Sequence, residues 1–127
     1  MERKADILYM VIPCYNEQEV LPETSKRLKE VMYGLIEKGK ISKDSKVLFV
    51  NDGSKDNTWP MIAELHEKDP LFAGLKLSRN KGHQNALLAG LMTAKEHADV
   101  TISMDADLQD DVNVIEKFMD KYYEGCD

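Results

Sequence analysis

The segment Ser103-Met104-Asp105-Ala106-Asp107-Leu108-Gln109-Asp110-Asp111 concentrates the chain's chemistry: an apolar run, Val100 to Met104, ends in two carboxylates separated by one small residue. In extended backbone, residues i and i+2 project to the same side. Asp105 and Asp107 can therefore aim at one point just past a strand's C-terminal end. Hard divalent cations such as Mg²⁺ and Mn²⁺ take oxygen ligands, and a nucleotide diphosphate usually supplies some of them. A carboxylate pair that shares its cation with a diphosphate activates a leaving group. A plainer reading stands beside this one. With 12 Asp in 127 residues, about one Asp-x-Asp arises by chance. Acidic residues also favour the first turn of a helix, so Asp110 and Asp111 can be simple cap and dipole partners of a helix starting near Val112.

Other polar clusters offer complementary chemistry. Arg79-Asn80-Lys81-Gly82 precedes a helical pattern, and a helix N-terminus with basic residues suits phosphate; exposed charges at a helix start are the alternative. The loop is neither a P-loop nor a dinucleotide fingerprint, since Gly-x-x-x-x-Gly-Lys-Ser/Thr and Gly-x-Gly-x-x-Gly are both absent. Asp52, next to Gly53, can accept hydrogen bonds from a nucleobase N–H or a ribose hydroxyl, although Asn51-Asp52-Gly53-Ser54 is also a set of turn formers. Tyr15 offers a flat surface for a base and Glu17 a hydroxyl acceptor. Trp59 and the methionines read as packing residues.

These clusters need elements to position them, and the hydrophobic pattern supplies four strand–helix pairs. Ile7 to Pro13 is a strand, and Glu19 to Lys38 carries apolar residues at helical spacing, with Gly39 as a stop. Val47 to Val50 is a second strand, and Thr58 is placed to cap a helix with Pro60 in its first turn, ended by Pro70. Ala73 to Leu77 is a third strand, with a helix from about His83 to His97. Val100 to Met104 is a fourth, with a last helix from Val112 to Tyr123. Such alternation predicts an α/β fold, a mostly parallel sheet with helices on both faces. Ligands bind outside the carboxyl ends of such strands, and every polar cluster named above follows a predicted strand.

Composition bounds the rest. A chain of 127 residues, 43% hydrophobic and 31% charged, is one domain's worth of soluble globular protein. No apolar run spans a bilayer and no signal peptide is visible, which makes a cytosolic location the default. Cys14 and Cys126 lack metal-ligand spacing and read as free thiols; His66, His83 and His97 are scattered, and no zinc site is expected. The net charge of −6 falls entirely in residues 105–127. No basic stripe appears, so no nucleic-acid partner is expected.

Taken together the clusters resemble family 2 glycosyltransferases. Four segments carry the resemblance in order: Val11-Ile12-Pro13-Cys14-Tyr15-Asn16-Glu17, Val50-Asn51-Asp52-Gly53-Ser54-Lys55-Asp56-Asn57-Thr58, Leu77-Ser78-Arg79-Asn80-Lys81-Gly82-His83-Gln84-Asn85-Ala86, and Met104-Asp105-Ala106-Asp107-Leu108-Gln109-Asp110. The third and fourth are similar to the subgroup of dolichol-phosphate mannose synthases and bacterial polyprenyl-phosphate glucosyltransferases. The resemblance implies a GT-A fold, a three-layer αβα sandwich. It implies that Asp52, Glu17 and the backbone of Pro13 to Tyr15 bind the nucleoside, that Arg79 and Lys81 lie near the phosphates or donor sugar, and that Asp105, Asp107 and Gln109 hold Mg²⁺ or Mn²⁺ with the diphosphate. Asp105 and Asp107 are thereby the catalytic carboxylates. Asn51 stands where many relatives have an aspartate. The implied reaction is an inverting displacement at the anomeric carbon of a nucleotide-diphosphate sugar, UDP-glucose or a similar donor, by polyprenyl phosphate.

Relatives carry a further half of the catalytic domain, and many add C-terminal membrane helices. Residues 1–127 are therefore expected to be a single domain, the N-terminal nucleotide-sugar-binding part of a longer enzyme. The full-length protein is expected at the cytoplasmic side of a membrane, while this part is soluble, binds donor and transfers sugar poorly. An open sheet edge leaves room for a homo-oligomer. Two other classes fit less of the pattern: a nucleotidyltransferase, which normally has a Gly-rich basic loop after its first strand, and a non-catalytic nucleotide-binding module.

Overall fold

A computed structural model describes residues 5–78, 82–106 and 113–125. Four strands and four helices alternate: β1 (Leu8–Cys14), α1 (Leu21–Glu37), β2 (Lys46–Asp52), α2 (Thr58–Lys68), β3 (Phe72–Leu77), α3 (His83–Lys95), β4 (Val100–Ser103) and α4 (Val114–Tyr123). The strands form one parallel sheet in the order β3-β2-β1-β4. β1 and β2 are buried at nearly every position because both of their faces are covered, and β2 is apolar from Val47 to Val50.

The strand order dictates the layers. From β1 to β2 to β3 the chain moves one way across the sheet, and from β3 to β4 it returns past β1 to the opposite edge. Right-handed crossovers then put α3 on the face opposite α1 and α2. Two cores result. Leu8, Met10, Ile12, Val47 and Phe49 pack with residues of α1, α2 and α4, among them Leu28, Met32, Ile62, Ile115 and Met119. Val11, Leu48 and Val50 pack with Ala86 and Ala94 of α3. This is the three-layer αβα arrangement expected from the sequence.

Gly90 sets the distance between α3 and the sheet. A Cβ there would stand 2.6 Å from Val11 Cγ1 and from Val50 Cγ2. Pro13 occupies a central strand, where a missing N–H usually costs a ladder bond. Successive residues of a strand direct their polar groups to opposite neighbours. The Val11 carbonyl accepts the Met104 N–H at 3.2 Å, so Pro13, two residues on, faces the same side, past the end of β4 at Ser103.

One expected detail differs. Thr58 is not the cap of α2 but its first residue, fully buried. The capping oxygen belongs to Asp56, whose Oδ1 accepts the Thr58 N–H at 2.9 Å. The Thr58 hydroxyl is spent on a loop contact described below. α1 begins at Leu21 rather than Glu19, with Pro22 in its first turn.

Candidate functional site

The reversal of chain direction between β1 and β4 makes a topological switch point, where open α/β sheets form a crevice at the carboxyl ends of their strands. Register brings the ends together: Cys14 pairs with Asn51, and Asp52 with Leu77.

The loops after β1 and β2 are stitched into one unit. The Asn16 N–H donates to Ser54 Oγ at 2.9 Å, and the Lys55 N–H donates to Asn16 Oδ1 at 2.8 Å. The Glu17 N–H donates to Thr58 Oγ1 at 2.8 Å, the Gln18 N–H to Asp56 Oδ2 at 3.3 Å, and the Asn57 N–H to Gln18 Oε1 at 3.0 Å. Within the second loop the Ser54 N–H reaches Asn51 Oδ1 at 3.3 Å. Asn51 thus shapes the turn beneath Gly53, whose φ of 71° glycine adopts without strain. Burial alone would raise the Asp56 carboxyl, but hydrogen bonds from the Thr58 hydroxyl and from the Thr58 and Gln18 backbone hold it below its ordinary value. Asp56, Asn16, Gln18 and Thr58 were not among the residues expected to shape this site. The sequence signals are an Asp two residues before a helix and the place of Asn16, Asp56 and Thr58 within the segments that carry the family resemblance.

Strand alternation fixes which way Asp52 faces, and burial of its neighbours shows which way Asp105 does. On β2, Val47 and Phe49 pack into the α1/α2/α4 core, and Leu48 and Val50 into the α3 core. Asp52 continues the second series onto the α3 face and is 3% exposed. After β4, Met104 and Ala106 are buried in the α1/α2/α4 core while Asp105 between them is exposed. Asp105, two residues past the end of β4, thus points away from that core. Asp52 closes β2 and Asp105 follows β4, the strands on either side of β1.

The other expected residues divide. Pro13 is buried in β1, and the Tyr15 ring is 40% exposed at the rim. Glu17 lines a groove with Asn16, Gln18, Glu19, Val20 and Asp56. Its charge adds to burial in raising the pKa of the Cys14 thiol, which is buried and free. Arg79, Lys81, Asp107 and Gln109, with Asp110, Asp111 and Cys126, lie outside the described residues.

Among the described residues, no group of three or more His, Cys, Asp or Glu side chains is placed to hold a metal ion. The donor set still fits a hard cation of the Mg²⁺ class, which needs only one or two carboxylates when substrate phosphates supply the remaining oxygens. Asp105 is an exposed oxygen donor at the right edge of the sheet. None of the helices described is long and apolar enough to cross a membrane.

Comparison with known proteins places this geometry in context. The model of "Glycosyl transferase family 2" matches residues 9–127. An uncharacterized glycosyltransferase of Bacillus subtilis (strain 168), YkoT, is 54% identical over 127 residues, covering 100% of this chain and 38% of that protein. A prophage bactoprenol glucosyl transferase homolog of Escherichia coli (strain K12) is 39% identical over 120 residues, covering 93% of this chain and 36% of that protein. The chain thus spans little more than a third of the length of these relatives. Among solved structures, Staphylococcus aureus TarS 1–349 in complex with UDP superposes with a TM-score of 0.65 at 18% identity, over 92% of this chain and 33% of that one. The mannosyltransferase PcManGT from Pyrobaculum calidifontis, in complex with GDP-Man and Mn²⁺, gives 0.60 at 22% identity, over 81% of this chain and 28% of that one. These two likenesses bear on the fold, which is GT-A.

Proposed function

The chain belongs to glycosyl transferase family 2, and from that premise we propose that it forms the donor-binding part of a metal-dependent, inverting glycosyltransferase. The reading rests chiefly on one observation: Asp52 closes β2 and Asp105 follows the end of β4, the two strands that flank β1 in the sheet. The whole enzyme would move a sugar, glucose or a close relative, from a uridine diphosphate donor to polyprenyl phosphate. The names of the bactoprenol glucosyl transferase relatives and the UDP bound in a structural neighbour favour that pair.

In this reading the stitched loops form the nucleoside seat. Tyr15 lies against the base, the backbone of Pro13 to Tyr15 supplies its edge contacts, and Asp52 and Glu17 accept hydrogen bonds from base N–H and ribose hydroxyls. Arg79 and Lys81 would serve the phosphates or the donor sugar. Asp105, Asp107 and Gln109 would hold Mg²⁺ or Mn²⁺ through oxygen. When bound, the cation supplies positive charge against the charge building on the departing nucleoside diphosphate. A phosphate oxygen of the acceptor forms the new bond to the anomeric carbon as the bond to the β-phosphate oxygen breaks. The acceptor is already anionic, so no strong protein base is required. The full-length protein would work at the cytoplasmic side of the membrane that holds its lipid acceptor. The outer edges of β3 and β4 offer room for a second copy.

Calorimetric titration with UDP, with and without Mn²⁺, tests the reading beside Asp105→Ala and Asp107→Ala. Metal-dependent binding that both variants lose supports it. Binding indifferent to metal and to both substitutions overturns it. GDP in place of UDP tests the base.

A further inference from the structure

Resting on the donor-site reading above, we propose that Thr24 is a positioning residue for Asp105, holding the backbone of Ala106 directly after it so that the carboxylate stays in place for cation and diphosphate. Thr24 sits in α1, 2% exposed, and its hydroxyl donates to the carbonyl oxygen of Ala106 across 82 residues of sequence. Ala106 is itself 3% exposed, so that carbonyl has little recourse to water.

The location explains why a side chain is needed. β4 ends at Ser103, and the Met104 N–H makes the next bond to β1, at Val11. Beyond it the strand has ended, so another contact must keep the direction in which Asp105 points. The Thr24 hydroxyl holds the backbone two residues further on. α1 is also the helix that follows the Tyr15–Glu17 loop, and its first turn is tied back to that loop: the Val20 and Leu21 N–H groups donate to the Glu17 carbonyl at 3.1 and 3.0 Å, and the Thr24 N–H to Val20 at 2.9 Å. One rigid element thereby joins the nucleoside loop to the cation segment. Supporting groups of this kind orient metal ligands without touching the metal.

Three variants of the 127-residue chain test this: Thr24→Val, which keeps the branched shape and loses the hydroxyl, Thr24→Ser, which keeps the hydroxyl, and Asp105→Ala. UDP affinity is measured with and without Mn²⁺, and amide hydrogen exchange is followed at Met104–Ala106. The expected result is that Thr24→Val loses about tenfold in the Mn²⁺-dependent part of UDP affinity. It keeps its metal-free affinity and exchanges faster at Met104–Ala106 than elsewhere, while Thr24→Ser stays near the wild type. If Thr24→Val lowers thermal stability and speeds exchange evenly, with the metal dependence intact, the residue is only structural and the proposal is overturned. Unchanged affinity and exchange in Thr24→Val overturn it as well. Should wild type and Asp105→Ala bind UDP alike with and without Mn²⁺, the donor-site reading itself fails, and the wild-type arm identifies that failure as a separate one.

Discussion

The side-chain oxygen of Asn16 accepts the backbone N–H of Lys55 at 2.8 Å, while the Asn16 N–H donates to the Ser54 hydroxyl. One residue of the first loop thus grips two consecutive residues of the second. Asn16 does so at a φ of 53°, in the left-handed region that asparagine enters more readily than other side chains. Asn16→Ala should lose twice: a hydrogen bond of about 1 kcal/mol and backbone strain of roughly 1 kcal/mol. Asn16→Gly relieves the strain but not the lost bond, so its urea midpoint should fall between alanine and wild type. Equal midpoints for the two variants would show that the backbone conformation contributes nothing.

Gly90 should tolerate no side chain. Helix propensity favours alanine over glycine by about 1 kcal/mol, yet a Cβ would sit 2.6 Å from both Val11 Cγ1 and Val50 Cγ2. Both obstacles are branched side chains in the middle of central strands, with little freedom to move aside. Overpacking of about 1–3 kcal/mol should outweigh the propensity gain. Gly90→Ala should therefore melt at lower temperature than wild type. A rise in melting temperature would mean that α3 shifts freely over the sheet.

Much of this was legible in the sequence, and the boundary has physical causes. β1 and β2 stand out by their unbroken apolar stretches, Leu8 to Pro13 and Val47 to Val50, as strands covered on both faces require. The α3 helix stands out because its small residues Ala86, Gly90 and Ala94 face the sheet. Asp105 was expected just past the C-terminal end of the fourth strand, and it follows β4 there. Helix starts were less legible: Val20 caps α1 with no side-chain hydrogen bond, so no local residue marks the turn. Thr58 looked like a cap, yet its hydroxyl serves the Glu17 N–H instead. The loop stitches and the Thr24–Ala106 contact join residues far apart in the chain, and neither periodicity nor propensity carries information at that range.

Acid should destabilise the fold through a surface cluster between α1 and α4. Hydrogen bonds from Lys40 and then Lys38 hold the Glu116 carboxyl down to about 2 from its ordinary 4.5. A group with a lowered folded pKa contributes stability above its unfolded pKa and loses it as pH falls through the folded value. The loss from Glu116 should therefore run from about pH 4.5 to about pH 2. Asp56 and Asp69 are held below their ordinary values as well and act in the same direction. Glu116→Gln should flatten part of the fall in urea midpoint between about pH 7 and about pH 3. Added salt should shrink the difference, since the pair is exposed. Parallel pH profiles for the variant and wild type would remove Glu116 from the account.

Asp52 and Asp105 stand at the ends of the two strands that flank β1 but should fail differently when altered. If Asp52 accepts hydrogen bonds from the nucleoside, Asp52→Asn removes charge while keeping shape, and the lost charge-assisted bond is worth about 1.5–3 kcal/mol. That corresponds to a roughly 10–100-fold weaker UDP affinity, and the factor should be the same with and without Mn²⁺. If Asp105 acts through the cation, Asp105→Ala should cost affinity only when Mn²⁺ is present. The double variant should then show additive losses in Mn²⁺, because the two groups contact different parts of one ligand. A loss in Asp52→Asn that appears only with Mn²⁺ would instead move Asp52 into the cation's shell and leave the base without its proposed acceptor.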